Sequence, residues 1–251
     1  MLSVAVLCSG SSGNSIYLES EKAKVLIDAG VSARVIDERL RKVGRSLGDV
    51  EAVFLTHEHY DHVGGVKSLS RDLSIPVYTN LKLPSGIVDL RRVRRFTTGE
   101  SFSFEDLAIT PFPVPHDAND PVGFVIEDGS GRIGLATDLG SVTKLVIERL
   151  KGINLLIIET NHDEEMLKNG PYFWELKERI ASQEGHLSNR QAGEAVAELL
   201  HRSLRHIFLA HLSRENNLPS LAYSTLSAYL NGAEVELHLT FADRPSDFVS
   251  I

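Results

Sequence analysis

The sequence has a single cysteine, Cys8, among its 251 residues. One thiol excludes an internal disulfide and any zinc site built from several cysteines, and it is typical of a reducing compartment, so we expect a cytoplasmic protein. No apolar stretch approaches the roughly 18–20 residues that a membrane span requires, so we expect no membrane partner. The apolar opening at residues 2–8 carries no basic segment and runs into Gly and Ser, which indicates a first strand and not a secretion signal.

Positive charge is also scarce, with 26 Lys and Arg against 34 Asp and Glu and a net charge of −8. This balance excludes a protein that coats nucleic acid by charge alone, but not an enzyme that acts on nucleic acid at a local site. Repeats, low-complexity segments and Pro/Gly/Ser-rich linkers are missing as well. The sequence therefore predicts one domain spanning residues 1–251.

Short runs of Val, Ile, Leu and Phe alternate with helical patterns along the chain. Strands are predicted at residues 3–7, 15–18, 24–27, 52–55, 76–78, 107–111, 123–127, 132–136, 154–158, 206–209 and 235–240. Helices are predicted at residues 32–43, from about 63, and at 142–150, 172–181, 188–200 and 220–230. Two groups of strands interleaved with helices favour an α/β (α+β) class, with two sheets face to face and helices outside.

The segment Thr56-His57-Glu58-His59-Tyr60-Asp61-His62 directly follows the apolar residues 53–55. It places four metal-capable side chains within six positions, a spacing expected by chance about once per thousand sequences of this composition. Imidazole and carboxylate groups suit Zn²⁺, Mn²⁺ or Fe better than Ca²⁺ or Mg²⁺. The spacing lets His57 and His59 point the same way from extended backbone, while Asp61 and His62 face a second ion.

Three further metal-capable side chains, His116, Asp138 and His211, each come just after an apolar strand. Strand ends hold side chains rigidly while the adjoining loops leave room for a substrate. Any one of these residues alone is as consistent with a turn as with a ligand. Together with the motif they supply the seven ligands that two metals sharing a bridging carboxylate would use.

The ordered set resembles the metallo-β-lactamase-fold hydrolases, and the resemblance spans nearly the whole chain. It implies a four-layer αββα sandwich with a dinuclear site at one edge. It also implies that His57, His59 and His116 hold one metal, that Asp61, His62 and His211 hold the second, and that Asp138 bridges them. The best-known β-lactamases of this class use a cysteine where this chain has Asp138, which argues against antibiotic hydrolysis.

Two divalent ions, less the charges of Asp61, Asp138 and a bridging hydroxide, leave a net-positive site that attracts phosphate. The hydroxide would be the nucleophile, and Asp61 counts among the catalytic residues as well as the ligands. Glu159 ends an apolar strand and His186 precedes the helix that Ser188 caps. A Glu159–His186 pair could deliver the proton that a leaving alkoxide needs, as it does in the related phosphodiesterases that these motifs resemble.

The segments at residues 8–15, 116–118, 159–163, 185–189 and 210–213 most resemble the YycJ/WalJ-like bacterial branch of the fold, with Thr160 as a minor departure. That resemblance implies a metal-dependent phosphodiesterase, a 5′-to-3′ exonuclease with two Zn or Mn ions and nucleic acid, DNA in particular, as its substrate. Candidate substrate-binding residues are Ser11, Ser12, Asn14, His162 and Ser188.

Two features of the sequence each allow two interpretations. The run Arg91-Arg92-Val93-Arg94-Arg95 either follows a nucleic-acid backbone or forms a solvated face. The aromatic residues Tyr172-Phe173-Trp174 either pack, in the core or in a homo-oligomer contact, or stack on bases. At the level of function, the same dinuclear site would serve a small-molecule hydrolase of esters, thioesters, lactones or cyclic phosphodiesters, and a non-catalytic metal-binding regulator ranks below both.

Overall fold

Two seven-stranded sheets lie at the centre of the structure, a computed structural model that describes residues 1–83 and 86–251. The first sheet has the strand order β14-β1-β2-β3-β4-β5-β6 and the second has the order β13-β12-β11-β10-β9-β8-β7. The strands are β1 (Ser3–Cys8), β2 (Ser15–Glu19), β3 (Lys24–Ile27), β4 (Ala52–Phe54), β5 (Val77–Thr79), β6 (Val93–Arg95), β7 (Phe102–Phe104), β8 (Leu107–Pro113), β9 (Val122–Glu127), β10 (Arg132–Ala136), β11 (Leu155–Glu159), β12 (His206–Ala210), β13 (Glu236–Leu239) and β14 (Val249–Ser250).

Helices cover the outer face of each sheet. They are α1 (Ala33–Lys42), α2 (Tyr60–Val63), α3 (Val66–Arg71), α4 (Lys144–Leu150), α5 (Glu164–Asn169), α6 (Trp174–Ile180), α7 (Asn189–Leu199) and α8 (Pro219–Tyr229), with short 3₁₀ turns at Leu47–Asp49 and Leu90–Arg92. None of the helices in the described part of the chain has the length and apolar character needed to cross a lipid bilayer.

Alternation of side chains along the strands divides the buried residues into three layers. Between the sheets, Ile27 and Phe54 of the first sheet meet Phe124 and Phe208 of the second. Outside the first sheet, residues of α1 and α3 join its other face, and outside the second sheet residues of α4, α7 and α8 do the same. The four-layer αββα sandwich predicted for this chain is therefore confirmed.

Several elements differ from the sequence prediction. Strands β6, β7 and β14 and helix α5 lack a predicted counterpart because they are short and carry little apolar periodicity. The helix predicted from about residue 63 is two helices, α2 and α3, separated at Gly64 and Gly65. A Cβ atom at Gly65 would lie 2.0 Å from the carbonyl oxygen of Val31, so this break is where the backbone passes close to the loop after β3.

The parallel half of each sheet sets the place of the site. In the first sheet β3, β4, β5 and β6 are parallel, and in the second β10, β11, β12 and β13 are parallel. The segments that follow the carboxyl ends of these strands lie at one edge of the sandwich. Asp138 and His211 come just after such strand ends, and the four ligands of the His57–His62 segment lie in the loop after β4 and in the short helix α2. His116 instead follows the antiparallel strand β8.

Candidate metal centre

His57, His59 and His116 form the first ligand cluster, with ligand atoms within 4.8 Å of one another. His57 follows β4 in extended backbone, and His59 is the N-cap of α2. The Nδ1 atom of His116 lies 3.1 Å from the carbonyl oxygen of Gly185, to which it donates, so its Nε2 lone pair faces the cluster. The Thr56 hydroxyl lies 3.0 Å from Nδ1 of His57 and leaves the Nε2 atom of that ring for the cluster in the same way.

Asp61, His62 and His211 form the second cluster, again within 4.8 Å, and Asp138 lies between the two clusters. The Oδ2 atom of Asp138 is 3.2 Å from Nε2 of His62, and Oδ2 of Asp61 is 3.6 Å from Nε2 of His211. Asp138 also groups with His57 of the first cluster. The structure thus brings the seven predicted ligands into one cleft, with the Asp138 carboxylate at its centre.

Asp28, which was not predicted from the sequence, holds the second cluster from behind. Its Oδ2 atom accepts hydrogen bonds from Nδ1 of His62 at 2.8 Å and from the Thr56 hydroxyl at 2.8 Å, and its Oδ1 accepts the backbone N–H of Thr56. Asp28 comes directly after the apolar strand β3. An acidic residue just after an apolar strand is also the pattern that singled out Asp138, and the same pattern would have identified Asp28.

Asp28, Asp138 and His211 have positive φ angles of 61°, 53° and 57°. Non-glycine residues rarely adopt this left-handed conformation, and they persist in it where the surrounding structure holds them. Each of the three follows a strand end; the side chains of Asp138 and His211 belong to the ligand clusters, and that of Asp28 supports His62 from behind. Backbone strain at all three positions is consistent with a site whose geometry is formed before any ligand binds.

The charges of the cleft favour a cation at its centre. Burial opposes protonation of His62, but the nearby carboxylates of Asp138 and Asp28 outweigh it and raise the pKa of His62 to about 10. Burial likewise opposes protonation of His211, yet Asp138, Asp61 and Glu159 raise its pKa well above the usual value. In the first cluster, burial lowers the pKa of His57 and His116, which keeps their imidazoles neutral.

These residues fit a divalent metal. The buried atoms His57 Nε2, His211 Nε2 and Asp138 Oδ2 have no hydrogen-bond partner among the described residues, although unpartnered buried polar atoms are costly. Neutral imidazole nitrogens together with carboxylates are the donor set of Zn²⁺ and Mn²⁺ sites. A cation would therefore satisfy the atoms that the protein leaves open.

Glu159 and His186 form the predicted pair, at 2.7 Å between Glu159 Oε1 and His186 Nδ1. The Glu159 carboxylate is fully buried, and its remaining bonds go to Nδ1 of His211 and to the backbone N–H groups of Leu139 and Leu187. Although burial acts to raise the pKa of Glu159, His186 and His211 lower it to about 2. The Glu159 carboxylate thus holds Nδ1 of both His186 and His211, and the His186 ring lines the adjoining cavity.

The predicted substrate-binding residues lie in different places. Ser11 lines a cavity beside His186, and Ser12, also in the β1–β2 turn, accepts a hydrogen bond from Arg214. Asn14 is buried in the second cluster, where its Nδ2 atom lies 3.1 Å from Asp61 Oδ2 and 3.0 Å from His62 Nε2.

His162 and Ser188 do not join the metal cleft. His162 lines a separate cavity next to Trp174, and its Nδ1 atom is buried without a partner among the described residues. The Ser188 hydroxyl caps α7 in a capping box with Gln191 and bonds Glu164. Both residues lie at the start of α7, where the backbone N–H of Asn189 donates to the carbonyl oxygen of His162.

The cavity beside His186 has a volume of about 290 Å³. Its polar lining comes from loops that follow strands of both sheets and from α6, and it includes Ser11, Asn161, Tyr172, Arg179, His186 and Ser213. Arg179 is paired with Asp117, and the Asp117 carboxylate lies 3.5 Å from Nε2 of His116. The cavity therefore opens directly next to the ligand clusters.

Comparisons with known proteins agree with this architecture. A family model described as a β-lactamase superfamily domain matches residues 23–211. The chain is 34% identical to exodeoxyribonuclease YycJ of Bacillus anthracis over 98% of this chain and 97% of that protein. It is 38% identical to exodeoxyribonuclease WalJ of Streptococcus pneumoniae serotype 2 over 94% of this chain and 91% of that protein. Among solved structures, the metallo-β-lactamase fold protein YhfI of Bacillus subtilis superimposes with a TM-score of 0.74 at 17% identity, covering 98% of this chain and 100% of that one.

Proposed function

Because this chain belongs to the β-lactamase superfamily, in the branch that contains the exodeoxyribonucleases YycJ and WalJ, we propose that it is a metal-dependent 5′-to-3′ DNA exonuclease. The chain is a hydrolase of this superfamily. The observation that carries the proposal is the His186–Glu159 pair beside the two ligand clusters. Cleavage of a phosphodiester needs both a cationic centre and a proton donor for the leaving oxygen.

Two divalent ions, Zn²⁺ or Mn²⁺, are the proposed cofactors. His57, His59 and His116 would hold one ion, Asp61, His62 and His211 would hold the other, and Asp138 would contact both. When bound, such ions supply an activated water-derived nucleophile and neutralise charge on the phosphate. The unpartnered Nε2 atoms of His57 and His211 and the unpartnered Oδ2 of Asp138 support this assignment.

His186 is the proposed proton donor. Its burial opposes protonation, but the adjacent Glu159 carboxylate raises the pKa of His186 above the ordinary value, which favours the protonated ring that a donor requires. The hydrogen bond to Glu159 fixes Nδ1 and leaves Nε2 as the donating atom. Glu159 also holds Nδ1 of His211, so a single carboxylate orients the donor and one ligand together.

The cavity next to His186 supports the proposed polarity. Its volume of about 290 Å³ is near the lower end of small-molecule sites and suits one nucleotide. If hydrolysis leaves the phosphate on the retained strand as its new 5′-phosphate, the leaving oxygen is O3′ of the released nucleotide. A donor at His186 then requires that nucleotide to occupy the cavity, and a nucleotide released through its O3′ is the one at the 5′ end.

The test uses end-labelled single- and double-stranded DNA and matched RNA, with metal-loaded protein and with protein treated with a chelator. We expect release of 5′-mononucleotides from the 5′ end of DNA, loss of activity after chelation and recovery with Mn²⁺ or Zn²⁺. Asp138→Asn should abolish cleavage, whereas the matched control Asp49→Asn, at an exposed position far from the cleft, should retain it. Release from the 3′ end would contradict the polarity, and a preference for RNA would contradict the substrate.

The second candidate is a small-molecule hydrolase that acts on an ester, thioester, lactone or cyclic phosphodiester. The small volume of the cavity beside His186, about 290 Å³, supports it, because a small molecule of about one nucleotide's size fills that space. Metal-loaded protein that cleaves no DNA or RNA but opens small esters would establish this candidate in place of the nuclease.

A further inference from the structure

The basic run at residues 91–95 lies on the unpaired edge of the first sheet. Its first residues form the 3₁₀ turn Leu90–Arg92, and Val93–Arg95 form β6, the last strand of that sheet. Arg92, Arg94 and Arg95 are exposed. Arg94 and Arg95 are neighbours in β6 and project from its two faces, so with Arg92 they place exposed guanidinium groups on both faces of this edge strand.

The positive charges of these three arginines are not neutralised by ion pairs with described residues. In the part of the chain that the structure describes, no acidic side chain lies within ion-pair distance of Arg92, Arg94 or Arg95, whereas Arg91 pairs with Asp89. Asp120, an acidic residue near the loop after β5, accepts hydrogen bonds from Asn80 and Thr98 and forms no ion pair with these arginines. An unneutralised basic strip in a chain of net charge −8 is a specific local feature.

Sheet register connects the strip to the metal centre. Phe54 of β4 is paired with Tyr78 of β5, and Tyr78 is paired with Arg94 of β6, in parallel strands. Neighbouring strands are about 4.8 Å apart, so the strip lies about 10 Å to the side of β4. His57 follows β4 by three residues, and Arg95 is near the same carboxyl edge.

The strip and the cavity lie on opposite flanks of the centre. The cavity beside His186 is reached from the β1 side of the first sheet, because Ser11 lines it, and from the loops after β11 and β12 in the second. The strip is on β6, at the other end of the first sheet, where Phe96, the residue after β6, stacks on Phe102 of β7 in the second sheet. A polymer with one end in the cavity would leave the centre toward the strip.

We propose that Arg92, Arg94 and Arg95 form a binding track for the phosphate backbone of the retained DNA strand, beginning about three nucleotides beyond the bond that is cut. This inference rests on the proposed nuclease function and adds where the strand goes after the site. Phosphates of one B-DNA strand are spaced about 3.4 Å along the axis, so a distance of about 10 Å is spanned by about three of them. The track contacts phosphates and therefore carries no sequence preference.

The test compares the wild type with the triple variant Arg92→Gln/Arg94→Gln/Arg95→Gln. A charge-matched control, Lys22→Gln/Lys151→Gln/Arg202→Gln, changes three exposed cations at the opposite edge of the sheets. Binding is measured by fluorescence anisotropy on a 3′-labelled, phosphorothioate-linked 20-mer at several salt concentrations. Cleavage of that sequence as ordinary DNA and of a dinucleotide is measured in parallel.

We expect the triple variant to lose up to about 100-fold in affinity at 0.1 M salt, since each single-strand phosphate contact adds about 0.7 to the slope of log affinity against log salt. The slope itself should fall by about 2. The charge-matched control should stay close to the wild type. Dinucleotide cleavage should be unchanged in both variants, because that substrate is too short to reach β6.

Arginines on an edge strand can also serve to prevent two sheet edges from pairing, and this is the alternative role that the experiment must distinguish. If the triple variant forms larger oligomers while its salt slope and its affinity match the wild type, the arginines only protect the edge and the track is overturned. Equal loss of dinucleotide cleavage would also overturn it. Failure of the wild type to cut DNA at all would instead refute the nuclease function, so the two failures are distinguishable.

Discussion

Replacing Asp28 by Asn tests how the protein prepares His62 for a metal. The native carboxylate accepts hydrogen bonds from Nδ1 of His62 and from the backbone and hydroxyl of Thr56. The φ angle of Asp28 is 61°, a conformation that Asn tolerates as well as Asp. The substitution therefore alters charge and hydrogen bonding with little change in backbone strain.

An amide at position 28 can keep the bond from the backbone N–H of Thr56 only by turning its NH₂ group toward His62. That group donates to Nδ1 and favours the imidazole tautomer with its proton on Nε2, the atom that faces Asp138 and Asp61. A protonated Nε2 cannot bind a metal. Loss of such a supporting partner typically costs 10–100-fold in metal affinity, or about 1.4–2.7 kcal/mol.

The assay is titration of metal-free protein with Zn²⁺ or Mn²⁺ against a chromogenic chelator. We expect Asp28→Asn to weaken the second cluster by about 10–100-fold and to shift the His62 tautomer in ¹H–¹⁵N imidazole spectra. The His57/His59/His116 cluster should weaken less, because Asp28 reaches it only through the Thr56 hydroxyl that contacts Nδ1 of His57. Asp49→Asn, an exposed carboxylate-to-amide change in the turn Leu47–Asp49, is the matched control. Equal affinities of wild type and Asp28→Asn for both ions would refute the tautomer argument.

Three further predictions address the donor, a helix cap and an ion pair. His186→Asn should retain metal but lower kcat on DNA by about 10²–10⁴-fold. It should lose little activity on a p-nitrophenyl ester, because the leaving group of that substrate needs no proton. Equal loss on both substrates would contradict the donor role. Ser188→Ala should lower stability by about 1 kcal/mol and the melting temperature by about 2–4 °C, because it removes the side-chain cap of α7; an unchanged calorimetric Tm would contradict this. Burial acts to raise the pKa of Glu19, but hydrogen bonds from Arg45 and Tyr17 outweigh it and lower that pKa. Glu19 thus stabilises the fold above its ordinary pKa, and this contribution is lost as the pH falls through its lower folded value. The stability difference between wild type and Glu19→Gln in denaturant titrations should therefore be present at pH 7 and vanish in strong acid; a difference that persists there would exclude the ion pair as its source.

The branch resemblance rested on short motifs at strand ends, and it is supported by the full-length relatives. Strand ends can be recognised in a sequence because buried strands are apolar and the polar residues after them are conspicuous. Asp28 has this same signature after β3 and was missed because it stands alone, without a neighbouring metal-capable residue. Strand β6 was missed for the opposite reason, since its arginines hide the strand pattern.

Local pattern therefore determined which strands end in ligands and which helix Ser188 begins, because periodicity and capping depend on residues close together in the chain. Only the tertiary structure decided that Glu159 is buried behind His186 and shared with His211, and that the arginines of β6 lie two strands from His57. Those relations join residues up to 52 positions apart, as Glu159 and His211 are. They depend on strand order and register, which arise from the packing of the whole sandwich and not from any short segment.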